Sequence, residues 1–166
     1  MKKPPAEKFI VLLHNIRSLH NVGSIFRTAD AAGVSKIYLC GITPTPLDRF
    51  GRPEKNLAKV SLGAEKYIPW EKVGAAQKMI EALKKEGFAI LALEQSKKSI
   101  AYDKFRPGKN EKIALILGNE VRGLPPSILK KCDKILEIPM RGRKESLNVS
   151  VAFGIVAFEL GKPHKI

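Results

Sequence analysis

Ile138-Pro139-Met140-Arg141-Gly142-Arg143-Lys144-Glu145-Ser146-Leu147-Asn148-Val149-Ser150 is the stretch on which the reading of this chain turns. It begins at the end of Lys134–Ile138, an apolar run of strand length, and leads into a segment that is apolar from about Leu147 to Leu160. A strand ends, a short basic loop follows, and a helix starts. Ser146 is a candidate N-cap, and the free N–H groups at that helix start can meet a carboxylate. Asn148, expected in the first turn, offers a donor and an acceptor. A capped helix behind a basic surface loop accounts for Ser146. It accounts less well for Asn148 and Ser150, which interrupt an otherwise apolar helix. Val149, Val151, Ala152, Phe153, Ile155, Val156, Ala157, Phe158 and Leu160 leave that helix little polar face, so most of its sides need a cover. Burial in the fold together with a subunit interface is the expected cover.

Working outward, four more apolar runs read as buried strands: Phe9–Leu13, Lys36–Cys40, Phe88–Leu93 and Ile113–Leu117. Helical patterns lie between them. Val22–Ala32 puts Ile25, Ala29 and Ala32 on one face before Gly33. Val73–Glu86 does the same with Val73, Ala76, Ile80 and Leu83, and Gly87 stops it. Pro125-Pro126-Ser127 opens a short helix to about Cys132. Strands alternating with helices predict an α/β fold with a mainly parallel sheet. Residues 41–65 read as a long exposed loop, and 96–112 as a second polar stretch. The 166 residues point to one domain, 1–166, with 1–8 and 161–166 as loose basic tails.

Two further stretches repeat the pattern of a polar turn after a strand. Asn15-x-Arg17 leads to Asn21-x-Gly23-x-x-x-Arg27 at a strand-to-helix turn, where an Arg can clamp a phosphate or carboxylate with its planar fork. A surface Arg with Asn21 as a helix cap explains the same residues. Gly118-Asn119-Glu120-Val121-Arg122-Gly123-Leu124 follows the Ile113–Leu117 strand. Ligands of open α/β sheets bind beyond the carboxyl ends of strands, and Gly118 would let one approach the backbone. A plain connecting loop is the alternative.

The chain carries 30 Lys and Arg against 16 Asp and Glu, a net charge of +14. That excess attracts polyanions and makes their binding salt-dependent, with nucleic acid the leading partner. A Lys-rich solvated surface is the plainer reading. No basic amphipathic helix suggests a membrane surface. Cys40 and Cys132 sit in or beside apolar runs, no C-x-x-C occurs and the three His are scattered, so no metal site is expected. The run Phe9–Leu13 is too short for a signal peptide or a membrane span, which makes a cytoplasmic protein the expectation. The Rossmann G-x-G-x-x-G, the P-loop and the G-x-S-x-G elbow are all missing.

Taken together, the three polar turns resemble the three signature motifs of the SpoU-type (TrmH-like) RNA 2′-O-ribose methyltransferases of the SPOUT superfamily. Asn21 and Arg27 resemble the first motif, N-x-x-x-x-x-R. Gly118, Glu120, Gly123 and Leu124 resemble the second, G-x-E-x-x-G-L. Ile138 to Ser150 resembles the third, I-P-M-x-G-x-x-x-S-L-N-V-S. The order is the same, and the likeness runs from about Phe9 to Leu160. It implies an α/β fold with a mainly parallel sheet, helices on both faces and a C-terminal deep trefoil knot. It also implies a homodimer whose interface completes the active site.

By the same resemblance the cofactor is S-adenosylmethionine, held around Leu93, Glu94, Gly118, Ile138, Met140 and Leu147. The acceptor is a ribose 2′-hydroxyl of tRNA or rRNA, with tRNA somewhat favoured because the chain resembles the family's minimal form. Asn21, Arg27, Glu120, Ser146 and Asn148 are the residues implied around the reacting atoms. A guanidinium stays protonated, so holding a phosphate is the cheaper role for Arg27. The RNA footprint is expected to include Arg17, Arg49, Arg52, Lys55, Lys59, Arg122, Arg141, Arg143 and Lys144. Two other classes compete: a non-catalytic RNA-binding module on the same fold, and a SPOUT enzyme that methylates a base nitrogen.

Overall fold

The structure is a computed structural model that describes residues 7–162. Seven strands form one sheet in the order β3-β2-β1-β6-β4-β7-β5, and every recorded pairing is parallel. The strands are β1 (Phe9–His14), β2 (Lys36–Cys40), β3 (Trp70–Val73), β4 (Phe88–Leu93), β5 (Ile100–Ala101), β6 (Lys112–Leu117) and β7 (Lys134–Glu137). The helices are α1 (Leu19–Ala31), α2 (Lys55–Ser61), α3 (Ala76–Lys85), α4 (Pro126–Leu129) and α5 (Val149–Leu160).

Strand side chains alternate between two faces, and each face needs its own cover. Phe9, Val11 and Leu13 of β1 join a core with Ile25, Phe26 and Ala29 of α1, Leu57 of α2, and Phe153, Val156, Ala157 and Leu160 of α5. Ile10 and Leu12 face the other way, against Ala76, Ile80 and Leu83 of α3 and Ile128 of α4. The helices therefore lie on both faces. Removing a buried aromatic such as Phe26 or Phe153 from such a core costs about 3–5 kcal/mol.

Register is what builds the site. Leu13 of β1 pairs with Leu117 of β6, Leu117 with Leu93 of β4, and Leu93 with Leu136 of β7. This row ends four strands at one level, so the loops after them leave along one edge. Between β1 and β6 the strand order reverses direction, the place where open parallel sheets leave a crevice at their carboxyl ends.

Several local expectations are corrected. Residues 41–65 are no structureless loop: they hold α2, whose Leu57 is fully buried. A seven-residue helix among Pro, Arg and Lys shows too little periodicity to be seen. Val73 belongs to β3 rather than α3, and β3 escaped notice because an edge strand reading Trp-Glu-Lys-Val lacks an apolar run. Two-residue β5 is shorter still. Helix α1 is capped by Ser18, whose side chain accepts from the Asn21 N–H at 3.1 Å, so Asn21 lies inside the first turn. Because α1 starts at Leu19 rather than Val22, Arg27 is its ninth residue, about two turns in. Near the termini, Lys8 is tied down, its carbonyl accepting from Ile113 N–H at 2.8 Å. Of the tails expected at 1–8 and 161–166, residues 1–6 and 163–166 lie outside the described residues.

Candidate active site at the carboxyl edge of the sheet

A cleft opens where β4, β6 and β7 end. Its lining includes Leu93, Glu94, Gly118, Glu120, Ile138, Met140, Ser146, Leu147, Val149 and Ala152. All six residues expected to hold a cofactor are among them, from four separate stretches of chain. Leu93, Ile138, Met140 and Leu147 supply apolar walls, and the strand ends supply backbone polar groups.

The floor is close-packed at Gly118. A Cβ placed there would lie 2.6 Å from the Gly123 carbonyl carbon and 2.7 Å from the Leu124 nitrogen. Residues 119–123 therefore fold back directly over Gly118, closed by Gly123 N–H donating to Asn119 C=O at 2.9 Å. Gly123 takes φ +66°, a left-handed conformation that favours glycine, and Glu94 packs where its side chain would be. Glu94 accepts from the backbone N–H of Leu124 and of Gln95, both at 2.9 Å. Gln95 donates to Glu145 C=O at 2.6 Å and so ties the end of β4 to the 138–148 loop.

The three polar turns meet in one hydrogen-bonded chain. The Glu120 carboxylate accepts from Arg17 N–H, Ser18 N–H and the Asn21 side-chain amide, each at 3.2 Å. Asn148 donates its amide to Asn21 Oδ1 at 3.1 Å. Asn148 Oδ1 then accepts from Ser150 N–H at 2.9 Å and from its hydroxyl at 2.6 Å. The polarity is forced from one end. A carboxylate only accepts, so Asn21 must turn its NH₂ toward Glu120 and its oxygen toward Asn148. Asn148 must then donate there, which leaves its own oxygen for the start of α5. Asn148 is thus the N-cap of α5, a correction to the cap assigned to Ser146, and its side chain does the capping. Ser146 stays exposed on the cleft wall.

Three residues outside the expected catalytic and cofactor sets hold this chain in place. Asn119 donates to Asn15 C=O at 2.8 Å, joining the ends of β1 and β6, while its oxygen accepts from the N–H groups of Val121 and Arg122. Asn15 has φ +55°, and its side chain accepts from Ile42 N–H at 3.0 Å. Buried Thr43 accepts from Ile16 N–H at 3.1 Å and donates to Leu13 C=O at 2.9 Å. Asn119 had a signal, since Asn after a strand-ending Gly often folds back on its own backbone. Thr43 had none, because Leu13 and Ile16, which it ties to the end of β2, are remote in sequence.

Partial burial pushes the Glu120 carboxyl up, but the N–H donors around it outweigh that and hold it below the usual carboxylate range. A lowered folded pKa adds stability that is present above the unfolded value and lost as pH falls through the folded one. Glu120→Gln removes that charge and sets an NH₂ against N–H donors. The variant is expected to lose about 1 kcal/mol at neutral pH, a low figure because water reaches the carboxylate. Urea midpoints should show the gap closing below about pH 4. A gap of equal size at pH 7 and pH 3 would mean that the ionised carboxylate contributes nothing.

Arg27 is not brought to the cleft. It is exposed on α1 and lines a separate depression with His20, Asn56, Lys59 and Val60. On its other side it shares a hollow with Ser24, Thr28 and Phe158 of α5. Of the residues expected to touch RNA, Lys59 lies beside Arg27. Arg17 is joined to Glu120 only through its backbone N–H. Among the described residues no group of three or more His, Cys, Asp or Glu is placed to hold a metal ion. Among them too, no helix is long and apolar enough to cross a membrane.

A parallel α/β sheet with a cleft at its carboxyl edge, closed by these three turns, defines the class of protein. The chain belongs to the SpoU rRNA Methylase family, which matches residues 8–158. It is 36% identical over 151 residues to the tRNA (guanosine(18)-2′-O)-methyltransferase of Aquifex aeolicus, covering 90% of this chain and 67% of that protein. It is 32% identical over 151 residues to the 23S rRNA (guanosine-2′-O-)-methyltransferase RlmB of Salmonella typhi, covering 91% and 58% respectively. The AdoMet-bound rRNA methyltransferase from Sinorhizobium meliloti superposes with a TM-score of 0.82 at 30% identity, over 94% of this chain and 56% of that one. The chain thus spans a little over half the length of the Salmonella and Sinorhizobium proteins.

Proposed function

We propose that this protein transfers a methyl group from S-adenosylmethionine to a ribose 2′-hydroxyl of tRNA or rRNA, with guanosine as the acceptor nucleoside. The observation that carries this is the Glu120–Asn21–Asn148 chain at the mouth of the cleft. It joins the three motifs whose combination resembles the ribose methyltransferases. The guanosine assignment rests on the names of the Aquifex and Salmonella relatives.

The cleft fits an adenine nucleoside without phosphates. Apolar walls from Leu93, Ile138, Met140 and Leu147 can hold the ring, and backbone groups at the strand ends can read its edge. Gly118 and Gly123 let the 119–123 turn pack tightly against the end of β6 and so shape the cleft floor. When bound, S-adenosylmethionine supplies a methyl group already activated by its sulfonium, so the protein's task is to place the hydroxyl and let its proton leave. Glu120 contributes a fixed negative charge beside the cleft, although its oxygens already accept three N–H donors. Buried Asn21 fixes the orientation of exposed Asn148, which is the residue of the pair that can meet the acceptor ribose. Ser146, exposed on the wall, is free to contact it.

Arg27 is assigned the phosphate next to the target ribose. It would act in the cleft of a second copy of this chain, packed through α5. Val151, Ile155 and Phe158 recur on one side of α5 and are 51%, 37% and 52% exposed. Phe158 shares a hollow with Arg27, so an interface there would enclose the guanidinium. Phe158→Glu is expected to shift the protein to monomer in sedimentation, with methyl transfer falling about 100-fold as Arg27 loses its partner cleft. A monomeric variant with full activity would remove the dimer from the mechanism. The trefoil knot is proposed as the route by which the chain passes from β7 to α5, where Gln95 holds the 138–148 loop.

The decisive experiment is incubation with tritiated S-adenosylmethionine and total RNA from cells lacking this protein, followed by nucleoside analysis. Label in a 2′-O-methylnucleoside is the expected result. Label in a base would turn the assignment toward a base methyltransferase. Cofactor binding with no transfer would leave an RNA-binding module.

A further inference from the structure

The turn 47–53 carries a feature that the cleft does not use. Phe50 is 65% exposed at its tip, with the Arg49 guanidinium 4.7 Å and the Arg52 guanidinium 4.9 Å from the ring centre. The turn is built to hold that display. Asp48 Oδ1 accepts from Phe50 N–H at 2.8 Å and from Arg52 N–H at 3.0 Å, and its other oxygen accepts from Arg52 Nε at 3.1 Å. Leu47 and Pro53 bridge across the base of the turn, and Gly51 takes φ +75°. Arg52 is therefore anchored, whereas Arg49 has no carboxylate partner among the described residues. The turn leads straight into α2, whose Asn56 and Lys59 line the Arg27 depression.

We infer that this turn is a second RNA contact, in which Phe50 stacks on an unpaired base and Arg49 holds an adjoining phosphate. The inference rests on the proposed RNA partner and extends it. An exposed aromatic ring offers any base a π-face, and Arg beside it adds cation–π attraction and charge. Electrostatics alone would not need the ring. A double helix hides its bases, so the contact selects an unpaired nucleotide.

The test uses the whole protein without cofactor, and titrates a labelled oligoadenylate single strand and an RNA duplex of equal length. Phe50→Ala is expected to weaken single-strand binding about tenfold and duplex binding by less than about twofold. Phe50→Tyr should bind as the parent does, since it keeps the ring. The slope of log affinity against log salt should be unchanged in Phe50→Ala, whereas Arg49→Ala should flatten it by about 0.7. Equal affinity of parent and Phe50→Ala for the single strand would overturn the inference, as would a parent that binds no single strand. An effect confined to phosphatidylserine vesicles would overturn it in favour of a membrane contact. The readout is binding alone: stacking with no methylation of any RNA would overturn the proposed activity and not this contact. Methylation together with an inert Phe50 would do the reverse.

Discussion

Alanine at position 118 is expected to abolish useful S-adenosylmethionine binding, lowering affinity about 100-fold, or about 2.7 kcal/mol. The added methyl meets backbone on the far side, the Gly123 carbonyl carbon at 2.6 Å and the Leu124 nitrogen at 2.7 Å. No rotamer change can relieve that contact. The 119–123 turn must lift, and its lifting pulls Leu124 N–H from Glu94 and carries Glu120 away from the 15–18 turn. Overpacking of this kind costs about 1–3 kcal/mol and the lost hydrogen bond about 1 more. Thermal unfolding should accordingly fall by several degrees, and titration calorimetry should show the binding loss. Gly142→Ala is the control, since nothing lies within 4 Å of a Cβ there. If Gly118→Ala binds S-adenosylmethionine as tightly as the control does, the cleft is not the cofactor site.

Asn21→Asp is the second large effect. The change is nearly isosteric, so it leaves no cavity, yet it replaces the side-chain amide that donates to Glu120 with another acceptor. Two carboxylates would then face each other across the 3.2 Å now spanned by a hydrogen bond, at a residue only 7% exposed. Like charges so placed raise one carboxyl pKa strongly. The expected loss is about 2–4 kcal/mol at pH 8, with methyl transfer down about 100-fold as repulsion drives Glu120 away from residue 21. The gap to the parent closes on acidification, as for Glu120→Gln, but in a higher pH window. A raised folded pKa favours the protonated pair, so Asn21→Asp should regain stability relative to the parent as pH falls from 8 to 5. Urea midpoints across that range measure it. Parity of the two proteins at pH 8 would show that the chain of amides is not held as described.

Much of this was legible in the chain, and the parts that were not share a cause. The buried strands declared themselves because a strand covered on both faces must be apolar throughout, as Ile10 to Leu13 and Ile113 to Leu117 are. Edge strands β3 and β5 are under no such demand, and α2 is too short to show a period. Helix caps were misplaced by a few residues for a related reason. Ser18, Asn21, Ser146 and Asn148 all have side chains that can cap, and only tertiary partners choose among them. Asn148 caps α5 because Asn21 takes its NH₂, and Asn21 is oriented in turn by Glu120.

The amino-acid sequence by itself determined the three polar turns, the alternation that makes the sheet parallel, and the membership that their combined spacing signals. Those are local matters: a run is apolar or it is not, and a glycine is present or absent. Only the tertiary structure decided that Leu13, Leu117, Leu93 and Leu136 end in one row. That register brings Asn21 within hydrogen-bonding distance of Glu120, 99 residues away, and of Asn148, 127 residues away. It also decided that Arg27, which the resemblance implies among the residues around the reacting atoms, stands apart from this chain's own cleft beside the exposed face of α5. Spacing along a chain carries no record of direction in space, and the direction of a side chain on a helix is set by what the helix packs against.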